Sequence, residues 1–212
     1  MTYDRMEYAF GNRIPRPLGC AGSSAVLIPV IELDHKPHLI LTQRAYTLKS
    51  QPGDFCFPGG RCEEGELAEE TALRETWEEI GIPKEKIKIA GPADFLATAY
   101  GAYIRPFVGF IHDFALEDLR PNKSEVEKII EIPLDFFMKT EPDVFTVDLI
   151  PDFPEDFPFD KIVGGKSYRW GKSVNKQLFF EYEGNVIWGI TARIIHNVKH
   201  ILLETYKERT SV

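Results

Sequence analysis

The segment from Glu66 to Ile80 constrains this chain more than any other. Ala72, Leu73, Thr76, Trp77 and Ile80 recur at near-helical spacing, and Gly81, with Pro83 beyond it, ends the run. A helix here carries an electrostatic liability. On a wheel of about 100° per residue, Glu78 and Glu79 fall at about 300° and 40° from Glu75, so one face presents three carboxylates. Like charges at i,i+3 and i,i+4 each cost roughly 0.2–0.5 kcal/mol, and the last turn, where Glu78 and Glu79 lie, is the end at which the helix dipole disfavours anions. A bound divalent cation reverses that balance, because carboxylate oxygens suit hard ions and Mg²⁺ is commonly held by a few carboxylates together with water and phosphate oxygens. Without a cation, such residues form a solvated acidic face, and Glu69 and Glu70, at the favourable end of the dipole, are read that way. Arg74, adjacent to Glu75 and four residues before Glu78, can hold a carboxylate in place. Upstream, Phe57-Pro58-Gly59-Gly60 is a turn whose glycines permit positive φ and close backbone approach to a ligand.

Read in order, Gly60, five residues, Glu66, seven residues, Arg74-Glu75-Thr76-Trp77-Glu78-Glu79-Ile80-Gly81-Ile82 resembles the Nudix box, G-x5-E-x7-R-E-U-x-E-E-x-G-U, at every fixed position. Thr76 stands where an aliphatic residue is usual, which touches packing and leaves the carboxylates alone. The resemblance implies an α/β fold, a mixed β-sheet sandwiched between helices. It implies that Glu75, Glu78 and Glu79 bind Mg²⁺ or Mn²⁺, with Arg74 and Glu66 supporting the box, and that the metal neutralises phosphate charge, orients a pyrophosphate and lowers the pKa of an attacking water. The general base stays open among Glu78, Glu79 and Glu125, the last lying outside the box and read in preference as an exposed charge at the start of a strand.

A second resemblance lies just upstream. Ile40-Leu41-Thr42-Gln43-Arg44-Ala45, then Lys49, Gly53 and Phe57-Pro58-Gly59-Gly60, is similar to the stretch L-L-T-x-R-[SA]-x3-R-x3-G-x3-F-P-G-G of Nudix coenzyme A pyrophosphatases. It implies hydrolysis of the diphosphate bridge of coenzyme A or acyl-CoA, giving a phosphopantetheine and adenosine bisphosphate. Arg44, Lys49, Gly53, Phe57, Gly59 and Gly60 are then the substrate-binding set. Lys49 departs from the arginine of that pattern, keeping the charge and losing the planar fork that grips a phosphate in two places. Ile187-Trp188-Gly189-Ile190-Thr191-Ala192 also looks like the segment that opens the last helix in that subfamily. Other readings are a Nudix hydrolase of ADP-ribose, NADH or a dinucleoside polyphosphate, and a Nudix module that senses a nucleotide without cleaving it.

The rest of the chain supports one domain over residues 1–212 with an insertion at about 140–185. Ala25 to Leu33 and His38 to Thr42 read as a hairpin punctuated by Asp34 to Pro37. Strands follow at Ile87 to Ile89, Phe95 to Ala99, Phe107 to His112 and Glu125 to Ile132, then a short helix from Pro133-Leu134, and a closing helix from about Gly189 to Lys207 with His196 and His200 on its outer side. Between Thr140 and Asn185, prolines interrupt an acidic, phenylalanine-rich run that gives way to a basic one. It is read as a long surface excursion packed by Phe153, Phe157 and Phe159, in preference to a substrate lid. The formal charge of -8 speaks against a nucleic-acid partner, and an anionic small-molecule nucleotide then needs local cations or a metal. Met1 to Gly19 holds no continuous apolar stretch, so neither a secretory segment nor a membrane span is read there, and a cytoplasmic location is expected. Cys20, Cys56 and Cys62 lack metal-site spacing and are read as reduced thiols. A homodimer is compatible with the sequence and not required by it.

Overall fold

The computed structural model describes residues 3–11, 22–98 and 101–210. Cys20, Ala99 and part of the Met1–Gly19 segment lie outside them. After an exposed helix α1 (Tyr3–Gly11), β1 (Gly22–Leu33) and β2 (Lys36–Arg44) form the expected hairpin, in register Leu33 to Lys36. Asp34 and His35 both take positive φ, 49° and 60°, the two-residue turn whose twist matches that of the strands.

β1 is the centre of an eight-stranded mixed sheet. It pairs antiparallel with β2 and β4 (Gly59–Arg61) and parallel with β7 (Ala102–Ile111). β3 (Phe55–Cys56) and β8 (Val126–Pro133) pair with β2, and β5 (Ile87–Pro92) and β6 (Leu96–Ala97) pair with β7. Successive side chains of a strand face opposite ways, and β1 buries both sets. Ala25, Leu27 and Ile31 pack with Ala68, Ala72 and Ile80 of α2 (Ala68–Ile80), while Ile28 and Val30 pack with Phe137 of α3 (Leu134–Lys139) and Ile194, Ile195 and Val198 of α4 (Gly189–Thr210). This is the mixed sheet between helices that the box implies. No helix among the described residues is long and apolar enough to cross a membrane.

Three expectations need correction. The helix starts at Ala68 rather than Glu66, because Glu66 spends its carboxylate outside the helix, on the Glu63 N–H and the Thr71 hydroxyl. Trp77 is 54% exposed, about 100° round the helix from Thr76, and Glu79 is buried in its stead. The 140–185 region is only partly a surface excursion: β9 (Asp143–Leu149), β10 (Ser173–Tyr182) and β11 (Asn185–Trp188) form a three-stranded antiparallel sheet. Leu178, Phe180 and Ile187 of that sheet are buried in the same cluster as α4 and β1. Buried Lys199 of α4 donates to the Thr140 carbonyl and the Glu141 carboxylate, at 3.0 and 2.6 Å, and ties down the start of the segment. The loop between β9 and β10 does gather Phe153, Phe157 and Phe159, at centroid separations of 4.7 to 5.3 Å, and adds Trp170 to them.

Candidate active site

The box is built by local forces first. Arg74 grips Glu66 with Nε and Nη2, at 2.9 and 3.1 Å, and its Nη1 donates to both Glu75 and Glu78 at 3.0 Å. One guanidinium thus ties the loop before α2 to two carboxylates on it. Arg74 and the Glu63 and Thr71 donors hold the Glu66 carboxyl down at about 2, well below the usual glutamate range. A depressed carboxyl contributes stability above its unfolded value of 4.5 that is lost as the pH falls through about 2. Glu66→Gln should therefore flatten the acid limb of a thermal-midpoint profile across that window. Acid limbs of equal slope in the two proteins would show that the clamp contributes nothing.

The C-terminal end of α2 is closed from two sides. Gly81 takes φ 78° and donates its N–H to Trp77, ending the helix as expected. The N–H groups of Arg120 and Asn122 then reach the carbonyls of Ile80 and Glu79, at 2.9 and 2.8 Å, filling acceptors that a helix end leaves orphaned. The Asn122 side chain accepts from the Ser124 N–H and hydroxyl, and the Ala45 N–H donates to the Glu125 carbonyl. That docking carries exposed Glu125 close enough to raise the proton affinity of Glu75 and Glu79.

Glu79 is 7% exposed, and its carboxyl is pushed up to about 8 by burial and then by the charge of Glu75, against the Gly59 N–H, which donates to it. Burial also raises Glu75, opposed by Arg74. A Cβ at Gly60 would overlap the Glu75 carboxyl, and one at Gly59 would overlap the backbone of Ala25 and Val26. The close approach read from these glycines is thus made by strand β1 and by Glu75. Among the described residues no three His, Cys, Asp or Glu side chains enclose a metal position as they stand. The donor set nonetheless fits a hard divalent ion: three carboxylates on one face, two of them held above their ordinary proton affinity by burial that a cation would compensate.

Arg44, Phe57, Gly59 and Gly60 come together on one wall of a cleft of about 420 Å³, and the carboxylates abut it through the two glycines. Arg44 reaches the Ser50 carbonyl with Nε and Nη2, which folds the 45–54 loop back beside it. Lys49 is exposed on that loop and Gly53 is tucked against the Tyr46 ring, and neither is part of the cleft wall. Cys56 does line it, its thiol pushed up by burial. The rest of the lining was not read from the sequence: Asn175 and Gln177 of β10, Trp188 of β11 and Arg193 of α4. Trp188 stacks on Phe179 at 5.7 Å and donates Nε1 to Asp54 at 3.2 Å, joining the two parts of the lining. The Ile187-to-Ala192 resemblance marked this place without its role.

The comparisons with known proteins agree with this geometry. The NUDIX domain model matches residues 23–149. The chain belongs to the Nudix family. Enzymes of this family are pyrophosphohydrolases of nucleoside diphosphate derivatives and generally depend on divalent metals. It is similar to Nudix hydrolase 3 of Caenorhabditis elegans, 41% identical over 54% of this chain and 49% of the relative. The uncharacterized Nudix hydrolase NudL of Photorhabdus laumondii is 32% identical over 82% of each chain. The peroxisomal coenzyme A diphosphatase NUDT7 of Mus musculus is 33% identical over 63% of this chain and 55% of that protein. The chain thus spans about half the length of the nematode and mouse relatives and most of the bacterial one.

Proposed function

We propose that this Nudix hydrolase cleaves the diphosphate bridge of coenzyme A or an acyl-CoA. Water attacks one phosphorus, the bridging P–O bond breaks, and a phosphopantetheine and adenosine bisphosphate leave. The observation that carries the substrate is the Arg44-to-Gly60 stretch, which resembles that of coenzyme A pyrophosphatases and which contributes Arg44, Phe57, Gly59 and Gly60 to a single cleft wall beside the box. The likeness to the mouse coenzyme A diphosphatase supports it. Residues 1–212 act as one Nudix domain, with the insertion supplying part of the cleft lining.

Glu75, Glu78 and Glu79 would hold Mg²⁺ or Mn²⁺, which when bound supplies charge neutralisation, orientation of the diphosphate and a more acidic water. The chain's own residues do the rest. Arg74 keeps Glu75 and Glu78 on one side of the helix, and the Gly59 N–H orients Glu79. Arg44 offers positive charge to the incoming phosphates on an otherwise acidic protein. Glu78 and Glu79, within the cluster, and Glu125, beside it, are the carboxylates to which the attacking water can lose its proton.

Incubating the purified protein with Mg²⁺ and, separately, coenzyme A, ADP-ribose, NADH and a dinucleoside polyphosphate tests this directly. Preferential release of adenosine bisphosphate from coenzyme A, stopped by a chelator and restored by Mg²⁺ or Mn²⁺, is expected. Preference for another substrate overturns the coenzyme A reading and keeps the hydrolase. Absence of turnover on all four with either metal favours a sensing module.

A further inference from the structure

Half-buried arginines normally find acceptors, because a cation partly removed from water without a partner is costly. Two of the three half-buried arginines among the described residues obey this rule. Arg44 donates to the Ser50 carbonyl, and Arg74 to Glu66, Glu75 and Glu78. Arg193, early in α4, is the third, and no carboxylate or hydrogen-bond acceptor among the described residues engages it. Asn175 and Gln177, alternate residues of β10 and so on the same side of it, are half-buried as well, and their side chains also lack partners among the described residues. All three line the cleft. Asp54 lines it too, and its Oδ1 is already taken by the Trp188 indole.

An unpartnered guanidinium with two carboxamides beside it suits a phosphate: the planar fork can bind in two places, and the amides add donors without adding negative charge. Which phosphate follows from topology. The two phosphorus atoms of a diphosphate share one oxygen, so both belong at the box, with Arg44 and Gly59-Gly60. A cation on the wall built by β10 and α4 meets a phosphate elsewhere on the substrate. Coenzyme A has one, on the 3′ position of its ribose; ADP-ribose, NADH and dephospho-coenzyme A do not.

We propose that Arg193, flanked by Asn175 and Gln177, determines specificity by receiving the 3′-phosphate of coenzyme A. This rests on the coenzyme A reading, and its test is built so that the two can fail separately. Two readouts serve: the ratio of kcat/KM for coenzyme A to that for dephospho-coenzyme A, and calorimetric binding of adenosine 3′,5′-bisphosphate against adenosine 5′-monophosphate without metal. A charged contact of this kind corresponds to about a tenfold to hundredfold preference for the 3′-phosphorylated member of each pair. Arg193→Gln should collapse both preferences by at least about tenfold, and Arg193→Lys should restore part of them. Wild-type preferences that survive Arg193→Gln overturn the assignment, as does a fall that is equal for both members of each pair, since that marks a contact with the shared diphosphate or with the fold. If coenzyme A is not hydrolysed but the Arg193-dependent preference for adenosine 3′,5′-bisphosphate persists, the subsite stands and the substrate reading falls.

Discussion

Replacing Glu79 with glutamine should leave the protein folded and reduce its metal-dependent hydrolysis by roughly 10²–10⁴-fold, the range of a lost acid–base group. The same substitution should also change stability in the metal-free protein, in a direction that the burial of this side chain dictates. A carboxyl raised from 4.5 to about 8 disfavours the folded state as it ionises. Its favourable contribution is full below 4.5 and lost as the pH rises through about 8. Glutamine is neutral throughout and can still accept the Gly59 N–H. The variant should therefore lack that alkaline decline and, above pH ~8, exceed the wild type by up to roughly 5 kcal/mol. Saturating Mg²⁺ should narrow the gap, since the ion stabilises only a protein that binds it. Thermal melts from about pH 4 to pH 9, with and without metal, alongside steady-state rates, measure both effects. Unchanged turnover would remove Glu79 from the mechanism, and a drop in metal-free stability at alkaline pH would show that the carboxylate is not disfavoured where it lies. Glu125→Gln provides the companion experiment. If Glu125 takes the proton, its loss slows turnover comparably and moves the metal-free alkaline limb only slightly, because burial and Glu75 outweigh Glu125 in raising the Glu79 carboxyl.

Phe180→Ala should be the most destabilising of the simple core truncations in the three-stranded sheet. Phe180 is 1% exposed and meets Phe137 of α3 edge-on, 5.2 Å between centroids, inside the cluster that holds Ile28, Leu41 and Ile195. Truncating a buried phenylalanine costs about 3–5 kcal/mol. For a chain of this size that lowers the thermal midpoint by about 10 °C or more. The shift should appear in a single transition, because the residue packs against α3 and α4 and thus joins the three-stranded sheet to the main one. Phe145→Ala, at a position 60% exposed on β9, should stay within about 0.5 kcal/mol of wild type. A separate low-temperature transition in Phe180→Ala would show that the 140–185 region unfolds by itself, contrary to a single domain.

The insertion was harder to read than the box for a physical reason. β9 (DVFTVDL) alternates in the manner of a strand, but it is the edge of its sheet, and its residues stay exposed or half-buried. Its neighbourhood is dominated by prolines and by a phenylalanine cluster whose contacts lie within the loop. The buried positions that give the region its fold, Leu178, Phe180 and Ile187, come after that loop and declare themselves only once α4 lies over them. Lys49 shows a different limit. Its place in a motif suggested a phosphate contact, while the turn at Gly53 and the hold of Arg44 on Ser50 leave it on the outside of the loop.

By itself the sequence determined what short-range forces control. The α2 helix, its stop at Gly81, the β1–β2 hairpin, the acidic face of Glu75, Glu78 and Glu79, and the adjacency of Arg74 all depend on periodicity, capping and spacing within a few turns. Only the tertiary structure decided what those residues face. The orphan carbonyls of Glu79 and Ile80 recruit the backbone of Asn122 and Arg120, and so bring Glu125 to the box from outside it. Burial of β1 on both faces requires α4 on one of them, and α4 with β10 and β11 sets Arg193, Asn175, Gln177 and Trp188 in the same cleft as Arg44. The first of these juxtapositions joins residues about forty positions apart, the second residues more than a hundred apart. They arise from satisfying helix ends and covering a sheet, demands that no local stretch of sequence expresses alone.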